Sequence, residues 1–150
     1  MQTGHTLAVR RAVAADRAHL ATLLSDMQAH YGSPNPPGGA AEMARLLTRT
    51  GERLPFALIA ERDGALLGLA SLSPVLFGGA FQWMLFLKDL YVSGGARGLG
   101  VGRALLAAAA RTALEKDYCA STGRPTPPMT ARSGSMTGWV CRAMTSASIA

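Results

Sequence analysis

Cysteine is nearly absent from this 150-residue chain: Cys119 and Cys141 stand far apart, with no Cys-x-x-Cys. That excludes a disulfide framework and a thiolate zinc site. Aromatics make up only 6% of residues, and none interleave with a basic stripe of the kind that grips nucleic acid, so no nucleic-acid partner is expected. No apolar run is long enough to span a bilayer, and Met1-Gln2-Thr3-Gly4-His5 opens polar without an apolar segment behind it. The expectation is a cytoplasmic protein with no membrane partner. Acid is missing from one end. All nine acidic residues lie at or before Asp117 with twelve of the fifteen basic ones, a net +3; the last 33 residues hold three arginines and no acid. The pI near 10.2 therefore reflects an unusual tail as much as a basic surface.

What remains is a chain built to fold. Hydrophobic residues reach 49% and mean hydropathy is +0.17, enough for one domain with a real core. Polar–apolar alternation from Thr6 to Val13 suits a first strand. Asp16 can cap a helix reaching about His30, with Leu20, Leu23, Leu24 and Met27 spaced for one buried face. Prolines and glycines make Tyr31–Gly39 a loop. Helical spacing returns from Ala40 to Thr50 through Met43, Leu46 and Leu47, and Gly51 ends it. Phe56–Arg62 and Ala65–Ser73 flank Asp63-Gly64, a hairpin signature. Phe81–Val92 reads as a long strand, and its continuous run Met84-Leu85-Phe86-Leu87 implies cover on both faces. Gly102–Lys116 is an alanine-rich helix.

Between that strand and that helix lies Arg97-Gly98-Leu99-Gly100-Val101-Gly102-Arg103. The first amides of a helix lack carbonyl partners within it, and the helix dipole adds partial positive charge there. Glycines remove the side chains that would hold a phosphate away. A dinucleotide fingerprint fails, because Arg103 or Leu105 takes the third glycine's place; a P-loop fails because no Gly-Lys-Ser/Thr follows.

Arg-x-x-Gly-x-Gly after a strand resembles the acyl-CoA signature of the GNAT superfamily of N-acetyltransferases, with Arg97, Gly100 and Gly102 on its marked positions. The order strand, two helices, hairpin, long strand, helix is similar as well. The resemblance implies an α/β (α+β) fold: a mixed, mainly antiparallel sheet flanked by helices. It implies acetyl-CoA as co-substrate, a small-molecule primary amine such as a polyamine or amino acid as acceptor, and no metal. The pantetheine arm would bond to the backbone of Leu90, Tyr91 and Val92, and the pyrophosphate would rest on the amides of Arg97–Arg103. By analogy the segments Gly32–Gly39 and Pro74–Ala80, neither charged, would line the acceptor.

The chemistry is less legible. Acyl transfer needs a neutral amine, a polarised thioester carbonyl and a proton for the departing thiolate. Relatives resembling polyamine acetyltransferases carry two acids before the Leu-Tyr-Val segment, where this chain has Lys88-Asp89. Asp89 is the catalytic candidate, set against an ordinary strand-end acid bonded to backbone or to Lys88. Glu61 on the hairpin is a weaker one. His19 and His30 read as helix residues with no metal constellation around them, and Trp83 and Phe86 as core.

After Tyr118 the pattern breaks. The family would show a parallel strand, then a helix whose tyrosine commonly protonates the thiolate. Here stands Cys119-Ala-Ser-Thr-Gly-Arg-Pro-Thr-Pro-Pro-Met129, a composition that cannot make a buried strand. The expected organisation is a GNAT-like domain over 1–118 and an atypical tail over 119–150, with the C-terminal strand and helix missing or altered. The plain reading of this tail is a disordered or loosely packed extension; the sharper one is a shifted reading frame. Taking the last base of each codon with the first two of the next, Met129-Thr130 and Met136-Thr137 must each encode Asp, and Trp139-Val140 must encode Gly. The free bases then permit Arg-Val-Asp-Trp-Thr-Ala-Asp-Ala and, further on, Leu-Tyr-Asp-Arg-Leu-Gly-Val, the missing strand and helix. On the chain as it stands, the long strand would have an unpaired edge, which a homodimer could cover. A binding protein without catalysis and a purely structural protein remain the alternatives.

Overall fold

The computed structural model describes residues 6–77 and 82–122. Their elements run β1 (Ala8–Arg11), α1 (Arg17–Tyr31), α2 (Gly39–Leu47), β2 (Phe56–Arg62), β3 (Ala65–Phe77), β4 (Gln82–Val92), α3 (Val101–Glu115) and β5 (Cys119–Thr122), with short 3₁₀ turns at Ala14–Asp16 and Gly94–Ala96. The five strands form one sheet in sequence order, antiparallel from β1 to β4, with β5 parallel to β4. This is the mixed, mainly antiparallel sheet the sequence leads one to expect.

Alternation along the strands divides the core in two. Phe56, Leu58, Ala60, Ala70, Leu72 and Leu85 face α3, meeting Val101, Leu105 and Ala109. Ala57, Ile59, Leu69 and Tyr91 face the other way, onto Leu20, Leu23, Leu24 and Met27 of α1 and Ala44 and Leu47 of α2. The heptad-like spacing in α1 thus buries the four residues expected. In α2 the buried face is Ala44, Leu47 and the following Thr48, whereas Met43 is exposed. The helix is turned so that Thr48 can accept a hydrogen bond from Arg17 Nε at 2.8 Å, tying α1 to α2.

Turns sit where their chemistry demands. Asp63 and Gly64 both have positive φ, 53° and 78°, the geometry of a type I′ hairpin turn between β2 and β3. Gly32, at φ 63°, ends α1, with Ser33 N–H reaching back to Gln28 O at 2.9 Å. Asp16 does not cap α1 through its side chain. Its carboxylate instead accepts from Val13 N–H at 2.8 Å and from both terminal nitrogens of Arg10, which also reaches Glu61 at 2.9 Å. The weak candidate Glu61 is thereby a structural ion-pair partner joining β1 to β2.

α3 lies close over β3 at Gly68. A Cβ there would stand 2.7 Å from the Tyr91 carbonyl oxygen and 3.1 Å from Val101 Cγ1, so only hydrogen fits.

Three expectations need correction. Cys119–Thr122 is a strand, pairing Met84↔Cys119 through Leu87↔Thr122. A parallel ladder is made by backbone groups, and these four residues contain no proline; Pro125 lies beyond them. The edge of β4 is accordingly paired over Met84–Leu87 rather than bare along its length. The helix expected after β5 lies outside the described residues. Pro74–Phe77 belongs to β3, so only residues 78–80 of that expected loop remain, and they too lie outside. Of the run Met84–Leu87 only Leu85 is buried; Met84, Phe86 and Leu87 are half-covered, as is Trp83, over whose ring the Arg53 guanidinium lies 4.5 Å away.

Leu105 is fully buried, so Leu105→Ala should cost about 2–5 kcal/mol in urea denaturation. Leu114, on the exposed side of the same helix, should change stability by less than about 0.5 kcal/mol when made alanine. The Arg10 hydrogen bond holds the Asp16 carboxyl down to about 2 from an ordinary 3.8. A folded-state value below the unfolded one stabilises above 3.8 and loses that contribution as pH falls toward 2. Stability should therefore decline across that window, and Asp16→Asn should flatten this part of the denaturation-versus-pH profile.

Candidate active site

β4 carries one residue too many. Ser71 pairs with Asp89 but Leu72 with Leu87, so Lys88 is extruded as a β-bulge. The extra residue shifts the alternation by one. Leu85 and Leu87 before it, and Leu90 and Val92 after it, all pack toward α3, while Tyr91 turns to α1. β5 pairs with β4 only up to Leu87. From Lys88 to Val92 the outer edge of β4 has no neighbouring strand among the described residues.

Two carbonyls of this edge are bonded by side chains. Tyr31 Oη donates to Leu90 O at 3.1 Å, and Arg97 Nε to Val92 O at 3.3 Å. Ser93 N–H, by contrast, bonds Leu67 O across on β3. The alternation is consistent: residues 91 and 93 turn their backbone groups toward β3, and 90 and 92 toward the open side.

At the end of β4 the chain passes through the Gly94–Ala96 turn into Arg97–Gly100, all four exposed. Gly98 and Gly100 both have φ 78°, with no atom within 4 Å of a would-be Cβ. Gly100 is the N-cap of α3 and offers no side chain to its first amides; Ala104 N–H makes the first helical bond, to Gly100 O at 3.0 Å. Val101 is buried against the sheet and anchors the turn. Gly102 sits half-covered, where a Cβ would stand 3.7 Å from Val92 Cγ2, and Arg103 is exposed. The corner therefore faces outward, with helix-end amides and dipole aimed at solvent, the geometry that holds phosphate oxygens.

Asp89 accepts a 2.5 Å hydrogen bond from the buried Ser71 hydroxyl directly across the strand pair. Neither backbone nor Lys88 is its partner in this bond. It lies on the α1 face with Tyr91, within the same Lys88–Val92 stretch. Sequence reasoning missed two residues here. His30, the penultimate residue of α1, has its ring 5.8 Å from that of Tyr91, and Arg97 Nη2 stands 3.2 Å from each of its ring nitrogens. Tyr31 follows it. Their only sequence signal is their place at the end of a helix, which does not say which strand they meet. Two surface hollows lie elsewhere: one of about 350 Å³ between Thr22, Ser25 and Asn35–Gly38, and one of about 260 Å³ among Arg11, Arg53, Thr112 and Lys116. Among the described residues no group of three His, Cys, Asp or Glu could hold a metal ion, and no helix is long and apolar enough to cross a membrane.

A methyl at Gly100 meets no neighbour, so Gly100→Ala should cost only the left-handed backbone strain, about 1–2 kcal/mol. A thermal melt should show it as a drop of a few degrees with α3 retained.

The acetyltransferase (GNAT) family matches residues 20–123. An uncharacterized N-acetyltransferase of Bacillus subtilis, YhfO, is 31% identical over 115 residues, covering 77% of this chain and 72% of that protein. Among solved structures, a ribosomal-protein-alanine N-acetyltransferase from Brucella melitensis superposes with TM-score 0.67 at 22% identity, over 79% of each chain. An aminoglycoside N-acetyltransferase in complex with CoA gives TM-score 0.69 at 18% identity, over 96% of this chain and 90% of the other. Sequence and fold agree: the chain belongs to the GNAT family of acetyltransferases.

Proposed function

We propose that this chain binds acetyl-CoA and is built to transfer its acetyl group to a primary amine of a small molecule. One observation carries the reading: an outward-facing glycine turn at the start of α3 stands beside a strand edge that, past the bulge at Lys88, no strand covers among the described residues. Gly98, Leu99, Gly100, Val101 and Gly102 would present backbone to the pyrophosphate, flanked by the charges of Arg97 and Arg103. The exposed N–H and C=O groups of Leu90 and Val92 would pair with the amides of the extended pantetheine arm, as an added strand would, with Tyr91 behind them packing on α1. Bound acetyl-CoA supplies the activated acyl group; the chain supplies position. Asp89, held by Ser71, is the candidate for orienting the amine or, through water, taking its proton. The CoA complex of the aminoglycoside enzyme supports the choice of cofactor. The acceptor's identity rests on the uncharged Gly32–Gly39 segment and is the coarsest part of the proposal.

The tail bears on activity. The family match ends at residue 123, where the composition changes, in keeping with a domain over 1–118, an atypical tail over 119–150, and a shifted frame between them. Without the family's tyrosine the thiolate lacks its usual acid, which favours a second reading for this chain: acyl-CoA binding with little turnover. Calorimetry with CoA, and an amine screen with acetyl-CoA, should show binding but weak or absent acetylation here, and acetylation once the frame is restored. Normal turnover by this chain would overturn the impairment, and an absence of CoA binding by either protein would overturn the site.

A further inference from the structure

The last two residues of α1 both reach the open side of β4. Tyr31, itself 58% exposed, spends its hydroxyl on the Leu90 carbonyl. His30, whose ring also lies 5.1 Å from that of Tyr31, meets the Arg97 guanidinium, and Arg97 in turn donates to the Val92 carbonyl. The Leu90 and Val92 carbonyls are thus each taken by a side chain, in a region where no strand pairs with this edge among the described residues.

We infer that Tyr31 is a latch on the acyl-CoA edge: its hydroxyl occupies the Leu90 carbonyl that an incoming amide must use, and binding requires it to swing away. The inference rests on the reading of this edge as the pantetheine site. A carbonyl facing water needs no such partner to avoid a penalty, so the bond is not there to rescue a buried group. An exposed tyrosine at a helix end can turn out without disturbing the core, since its neighbours Leu20, Leu23, Leu24 and Met27 hold α1 in place. Arg97 is likewise exposed, and its release from Val92 would free the guanidinium for the phosphates. The latch sets an affinity difference between ligands that run along the strand and ligands that stop at the turn.

That difference is the test. Titrate the full chain and Tyr31→Phe with coenzyme A and, separately, with adenosine 3′,5′-bisphosphate, which keeps the adenosine, the 3′-phosphate and one phosphate of the diphosphate but has no pantetheine. Removing the hydroxyl should tighten coenzyme A by roughly two- to ten-fold, the worth of one exchanged hydrogen bond, and leave the bisphosphate unchanged. Unchanged or weaker coenzyme A binding overturns the latch while sparing the site. Equal tightening of both ligands also overturns it, because the effect would not lie on the strand edge. If the unmodified chain binds neither, the reading of the site fails and the latch with it.

Discussion

One extra residue in β4 governs the rest. Were Lys88 paired in the ladder instead of extruded, the strand would keep a single alternation, and the residues after it would exchange faces: Leu90 and Val92 would turn to α1, and Tyr91 to α3. The bulge lets Leu85, Leu87, Leu90 and Val92 all serve one core. Among the described residues, pairing with β5 reaches Leu87, the residue before the bulge. The burial pattern on both sides of Lys88 is therefore a consequence of that one inserted residue.

From that edge the site follows by continuity of the chain. β4 ends at Val92, and buried Ala96 and Val101 pin the two sides of the turn to the core. Between them the backbone must cross exposed, and its tight path is made with two left-handed glycines. α3 starts with its amides outward because its apolar side, Val101, Leu105, Ala109 and Ala113, is committed to the sheet. The electrostatics of the corner are those of the main chain. That suits a ligand recognised by its diphosphate and amides, whatever acceptor accompanies it.

Much of this could be read from residues alone where the signal is local. Spacing in α1, the Asp63-Gly64 turn, the glycine turn and the alanine-rich helix are patterns that neighbouring residues set between themselves. What escaped was non-local. Met43 looked apolar enough to be core, but α2 buries Ala44, Leu47 and Thr48 instead, with Thr48 accepting from Arg17 of another helix. Asp16 looked like a cap, but Arg10 and Val13 claimed its carboxylate. Cys119–Thr122 has no strand pattern of its own, and the ladder of β4 imposes one. His30 and Tyr31 carry no motif; only the packing of α1 across the sheet brings them to Leu90 and Arg97. The bulge is invisible for the same reason, since Lys88 is extra only with respect to β3.

Gly68 on β3 faces no ligand, yet it sets how near the first turn of α3 can come to the last residues of β4. The spacing between the diphosphate corner and the strand edge is thus gauged by a hydrogen atom on a neighbouring strand. A side chain at that position would push α3 off the sheet and move the glycine corner relative to the strand edge, without touching any residue of the corner itself.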